Sequence, residues 1–189
     1  MKKYEFTGET KEIKLLFRTA VLHRIRATVS FGFVKIGDLG GWIEKEENLS
    51  HEGKAWVWGN AKVWGNAKVW GNAKVCGDAE VCGDAEVWGN AKVWGNAKVC
   101  GDAEVFSASH VLVIGAIGSR NDFTTFYRDK DNEITVKCGC FLGKIDRFLE
   151  KVTQTHGDSK YALVYRAAVE VAKLQIDLSG EALKDADEE

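Results

Sequence analysis

The sequence predicts a mainly β protein: a triangular parallel β-solenoid with an N-terminal β cap and a small C-terminal α+β module. Three observations predict the solenoid. Residues 58–105 are eight consecutive copies of a six-residue unit, five reading WGNAKV and three reading CGDAEV. Within each unit Ala and Val alternate with Lys or Glu and with Trp or Cys, the period-two pattern of a strand with one buried face. Each unit then breaks at Gly-Asn or Gly-Asp, residue types that reach the left-handed conformations a sharp corner needs. A strand this short cannot bury its valine alone. Three such sides closed into an 18-residue coil, and coils stacked on one another, can. Valines six residues apart share no face of a 3.6-residue helix, which excludes a helical array. The chain contains no proline, as suits a fold made of backbone ladders.

An 18-residue period places residues in columns about 4.8 Å apart. Trp58, Cys76 and Trp94 share one face; Trp64, Cys82 and Cys100 a second; Trp70, Trp88 and Phe106 the third. Lys62, Glu80 and Lys98 alternate in sign along their column, a favourable cross-strand ladder. Lys68 meets Glu86, Glu86 then meets Glu104, and Asp84 meets Asp102; the stacked carboxylates either hold a cation or tolerate one another in solvent. So much outward aromatic surface is an association risk unless something covers it. The expectation is lateral packing into a homo-oligomer, a trimer favoured, with Trp58, Trp64, Trp70, Trp88, Trp94 and Phe106 at the interface. An aromatic platform for a ligand is the other reading of the same residues.

The flanks divide the chain further. Residues 1–52 read as an N-terminal β cap and lead-in, 53–111 as the solenoid, 112–178 as a β-β-β-α-α module, and 179–189 as an acidic tail expected to be mobile. In the cap, Lys14–Arg18 and Leu22–Val29 alternate like strands, and Gly37–Gly41 makes a tight turn into the first coil. That turn lacks a P-loop lysine and a following helix, so it does not read as a phosphate site. In the module, Val111–Ile117, Phe123–Arg128 and Ile134–Phe141 read as strands. A helix carrying Ile145, Phe148, Leu149 and Val152 stops at Gly157, and a second starts near Ser159. The turn Ser119, Arg120, Asn121 and Asp122 is the densest polar cluster outside the repeats and suits an anion such as a phosphate or a nucleotide. The alternative is a turn whose side chains cap its own backbone. Cys138-Gly-Cys140 leaves one residue between the thiols, too few for zinc spacing, and reads as a core position on one strand face. His156 reads as a helix C-terminal residue favoured by the dipole. No metal or cofactor is expected.

A formal net charge of −2 gives no electrostatic footprint for nucleic acid or an anionic membrane. The first residues show no secretory pattern, and no apolar run reaches the length of a membrane span. Five cysteines, an odd number, then point to a reducing cytosol, in which Cys82 and Cys100 approach disulfide distance yet stay reduced.

The lead-in Gly37-Asp-Leu-Gly-Gly-Trp-Ile-Glu-Lys-Glu-Glu-Asn-Leu-Ser50, the GNAxV repeats, Ile117-Gly-Ser-Arg-Asn-Asp122 with Thr124-Thr-Phe-Tyr127, and Cys138-Gly-Cys-Phe141 resemble a family of uncharacterised bacteriophage and prophage proteins. Its repeats are of the transferase-hexapeptide type, so the resemblance implies a left-handed β-helix. It brings no activity with it, and the near-perfect tryptophan repeats depart from the varied outward residues usual there. A phage-type protein of this size suits a non-catalytic binder in the host bacterial cytosol, blocking or sequestering a host protein such as a defence factor, or a nucleotide signal. Two other functions compete. A hexapeptide acyltransferase would use His110, the one histidine in the array, as general base, with His51 just before it. A structural or virion-associated part would use the solenoid as a spacer.

Overall fold

The computed structural model describes residues 2–179; the tail beyond Ser179 lies outside the described residues. Its centre is the expected prism. The repeats form two-residue strands in strict rotation: β4 (Trp56–Val57), β5 (Lys62–Val63), β6 (Lys68–Val69), β7 (Lys74–Val75), β8 (Glu80–Val81), β9 (Glu86–Val87), β10 (Lys92–Val93), β11 (Lys98–Val99) and β12 (Glu104–Val105). Every third strand pairs in parallel, giving the faces β5-β8-β11, β6-β9-β12 and β4-β7-β10. Val57, Val75 and Val93 stand in one register column, and Val63, Val81 and Val99 in another. These valines and the repeat alanines are all buried in one continuous core.

The corner glycines set the spacing of the turns. Gly83 adopts φ +73°, and a Cβ on it would lie 2.8 Å from the backbone nitrogen of Gly101 in the next turn. Only glycine accepts both the left-handed conformation and the close approach. At Gly95 the conformation is the same, φ +63°, but no atom lies within 4 Å of the equivalent point.

The stack begins earlier than the perfect repeats. Strand β3 (Leu39–Ile43) pairs in parallel with β5, and Leu49 bridges Val69, so Ile43 and Leu49 head two of the valine columns. The solenoid therefore has about four turns. Its first end is closed by an antiparallel hairpin, β1 (Tyr4–Lys14) and β2 (Thr19–Ala27), which continues the β3 sheet. Tyr4 Oη donates to the Leu49 carbonyl at 2.8 Å, Lys3 Nζ to that of Ala55 at 2.9 Å, and Asn48 Nδ2 to that of Ala67 at 2.8 Å. Each satisfies a buried carbonyl at the end of the stack. Lys14–Arg18, expected as a strand, is instead the hairpin tip, where Leu15 N–H donates to the Arg18 carbonyl. Three apolar residues in a row offer no alternation to bury, and Leu16 and Phe17 are exposed.

The C-terminal module is a four-stranded antiparallel meander, β13 (Val111–Ile117), β14 (Asp122–Arg128), β15 (Ile134–Cys138) and β16 (Phe141–Lys144), packed by α1 (Ile145–His156) and α2 (Lys160–Gln175). The single strand expected over Ile134–Phe141 is two, β15 and the start of β16. Gly139, at φ +56°, turns the chain, so Cys138 and Cys140 flank a bend and do not share a strand face. Strand β14 closes the other end of the solenoid. Tyr127 Oη donates to the Cys100 carbonyl at 2.7 Å, the Lys98 N–H donates to Thr125 Oγ1 at 3.0 Å, and Arg128 pairs with Glu104 at 3.2 Å.

Cys82 and Cys100 are joined in a disulfide. This corrects the expectation that they stay reduced: parallel stacking brings their Cα atoms to 4.6 Å, within disulfide reach. No helix among the described residues is long and apolar enough to cross a membrane.

The corner geometry is open to a paired substitution. Gly95→Ala is expected to destabilise the protein by about 1–2 kcal/mol, the strain of a left-handed alanine. Gly83→Ala adds a backbone collision and is expected to reach about 2–4 kcal/mol. Urea unfolding of the two variants measures the difference; equal losses would show that the turns do not rest on glycine-to-glycine contact.

Candidate functional site

The repeat tryptophans are for the most part covered by their own chain. Trp64 is buried against Ala20, Leu22 and Trp42 under the N-terminal hairpin. Trp70 and Trp88 stack face to face with ring centroids 4.9 Å apart and 2° between planes, and Phe106 continues the ladder at 5.1 Å. Trp58 packs against the solenoid core. Trp94 alone of the five stands out, at 60% exposure. The surface that called for a neighbouring subunit thus shrinks to one ring.

The polar turn divides. All four residues are exposed; Ser119 and Arg120 line a cavity of about 430 Å³ in the C-terminal module, and Asn121 and Asp122 do not. Asn121 sits at φ +49° and its N–H donates to the Gly118 carbonyl, closing the turn. Asp122 Oδ1 accepts from the Phe123 N–H, so part of the cluster does cap its own backbone. The turn is held against α2 by Gly118, where a Cβ would lie 1.9 Å from Tyr165 Oη. Arg120 lies across the β15–β16 bend, its Nη1 2.7 Å from where a Cβ on Gly139 would stand.

The other walls come from the helices. Phe148 meets Tyr165 edge to face at 5.5 Å, and His156 stacks on Tyr165 at 5.8 Å. Tyr165 is nearly buried, and its phenol is pushed up to about 12 by burial first and then by Cys138. It stays a neutral hydroxyl at physiological pH. Cys138 Sγ lies 3.9 Å from that hydroxyl and accepts from Thr124 Oγ1 at 3.3 Å. Lys151 and Thr155, one helical turn apart on α1, complete the rim. Neither Arg120 nor Lys151 forms an ion pair among the described residues. The site therefore offers flat apolar walls, hydroxyls and two uncommitted cations.

Nothing in this cavity resembles a charge-relay arrangement. Among the described residues no histidine or carboxylate hydrogen-bonds either module thiol, and no cluster of His, Cys, Asp and Glu could hold a metal. His110 lies elsewhere, buried after the last turn, with its Nδ1 accepting from the Phe106 N–H at 3.4 Å and its ring edge-on to Phe106.

The chain matches no family model and no curated protein.

Burial first, and then the Arg128 charge, lower the His110 pKa to about 4. A base whose folded pKa lies below its unfolded value destabilises the fold as it is forced to take up a proton. Its contribution is constant above about pH 6.5, falls between about 6.5 and 4, and is lost below that. The loss amounts to up to about 2–3 kcal/mol. Chemical denaturation across this range is expected to show the fall in the native protein and a flatter profile in His110→Gln; parallel profiles would rule out a buried neutral imidazole.

Proposed function

We propose that this protein is a non-catalytic binder of the phage type that sequesters a small nucleotide-like signal in its C-terminal module. The observation that carries the reading is a cavity lined by aromatic rings and by Arg120 and Lys151, which form no ion pair among the described residues. Phe141 and His156, the half-buried rings of the lining, suit a base, and Arg120 and Lys151 suit its phosphates. The cavity volume, about 430 Å³, falls within the range of small-molecule sites. Strand β14 anchors the module to the last turns of the solenoid through Thr125, Tyr127 and Arg128, which favours a preformed site.

The competing functions draw less support. A transferase reading turns on His110, whose ring is buried and whose basicity is low. The repeats carry no inserted loop to seat an acyl donor. A spacer of about four turns is short for a fibre. A homo-oligomer remains compatible with the exposed Trp94.

Thermal denaturation with cyclic and ADP-ribose-derived nucleotides tests the proposal. A ligand at a hundred times its Kd stabilises the fold by about 2.7 kcal/mol. That shift is expected for the native protein and is expected to vanish in Arg120→Ala and Lys151→Ala. No stabilisation by any nucleotide, with a host protein co-purifying instead, would replace the nucleotide by a protein target.

A further inference from the structure

The charged columns of the solenoid are answered on two faces and unanswered on the third. On the β5-β8-β11 face, Glu80 pairs with Lys62 at 3.1 Å and with Lys98 at 3.6 Å. On the β6-β9-β12 face, Glu86 and Glu104 stack in register, but Lys68 reaches Glu86 at 3.9 Å and Arg128 reaches Glu104 at 3.2 Å. At the corner, Asn66 Nδ2 donates to Asp84 at 3.0 Å, and Asp102, one turn on, pairs with Lys130 at 2.7 Å. The β4-β7-β10 face differs. There Lys74 and Lys92 are register partners, Lys54 stands at the corner one turn before, and none of the three forms an ion pair among the described residues. Like charges placed directly opposite across a ladder are destabilising.

The same lysines line a trough of about 220 Å³. The turn Phe31–Val34, closed by two backbone hydrogen bonds of 2.8 and 2.9 Å, walls one side. Phe33 in that turn is exposed and carries Lys74 Nζ 4.8 Å above its ring. Trp58 lines the trough, and Asn72 and Asn90 stack along its edge with their side-chain amides 3.5 Å apart. Lys74 and Lys92 therefore leave the backbone one turn apart, about 4.8 Å, with Lys54 at the adjoining corner and the side-chain amides of Asn72 and Asn90 beside them.

From this geometry we infer a second anion site, distinct from the C-terminal cavity, that takes a chain of linked phosphoryl groups along the β4-β7-β10 face. Lys54, Lys74 and Lys92 each meet one part of the chain, and the bridging anion converts their repulsion into charge-assisted hydrogen bonds. The chain is either a free oligophosphate or the tail of a nucleotide. The site stands independently of the function proposed above, since it shares no residue with it.

Isothermal titration at low ionic strength with sodium tripolyphosphate, orthophosphate and ATP tests the site in the native protein, Lys92→Glu and Arg120→Ala. Tripolyphosphate is expected to bind the native protein and Arg120→Ala alike, more tightly than orthophosphate, and to weaken with added salt. Lys92→Glu is expected to weaken it about tenfold or more. The same variant is expected to raise the melting temperature of the free protein, because Lys74 then gains the acidic partner that Lys62 has in Glu80; this separates loss of binding from loss of fold. ATP binding no more tightly than tripolyphosphate identifies a free phosphate chain, and tighter ATP binding that survives Arg120→Ala identifies a nucleotide tail; both uphold the site. Failure of tripolyphosphate to bind the native protein, binding unchanged in Lys92→Glu, or binding lost in Arg120→Ala would overturn it.

Discussion

The structure depends on one constraint: each turn of the solenoid lies on the last in exact register, eighteen residues on. Backbone ladders tie the turns together, for example from the Asp78 N–H to the Gly95 carbonyl at 2.9 Å. Corner glycines let the backbones close without a side chain between them, and the valine columns fill the interior. Once the register is fixed, the identity of residue i + 18 decides what residue i touches. The Trp70–Trp88 stack, the Cys82–Cys100 bond and the Lys62–Glu80–Lys98 ladder are all consequences of that one rule.

Register has no way to close its own ends, and there the non-repetitive sequence takes over. Both caps use the same chemistry, side-chain donors aimed at the carbonyls of the terminal turn: Tyr4, Lys3 and Asn48 at one end, Tyr127 at the other. The second cap also fixes the candidate site. The last residues of β14 hold the solenoid, while the turn before the strand contributes Ser119 and Arg120 to the cavity. One strand thus joins the last turn of the stack to the turn that carries Arg120.

How far the sequence revealed this follows from the same division. The prism, its columns and the covered valines were legible because a fixed period leaves one way to bury them. Strand β1 was not, since Glu, Thr and Lys fill most of its positions and Gly8 interrupts the register between Phe6 and Thr10. The bend at Gly139 was hidden by apolar residues on both sides that extend one strand as easily as they make two. Of the cavity, Ser119 and Arg120 were visible as a polar cluster, whereas Lys151, Thr155 and Tyr165 lie on helices whose approach to that turn no local pattern encodes. The tryptophans misled for a related reason: alternation shows that they point outward, but only the hairpin's position shows that Trp64 is covered.

The order of the repeat units carries information that the units alone do not. Lys comes with every WGNAKV and Glu with every CGDAEV, so the sequence of unit types determines which charges meet three units later. That order puts opposite signs together around Glu80, two acids together at Glu86 and Glu104, and two lysines together at Lys74 and Lys92. The repetition of whole units accounts for the supply of these charges. It does not explain why the module outside the repeats provides Arg128 for Glu104 and Lys130 for Asp102. The acids at the end of the stack are answered by residues that no repeat contributes, while the lysine column faces solvent with an aromatic ring at its side. The asymmetry lies between faces built from the same units, so it must be sought in what each face meets and not in how the units arose.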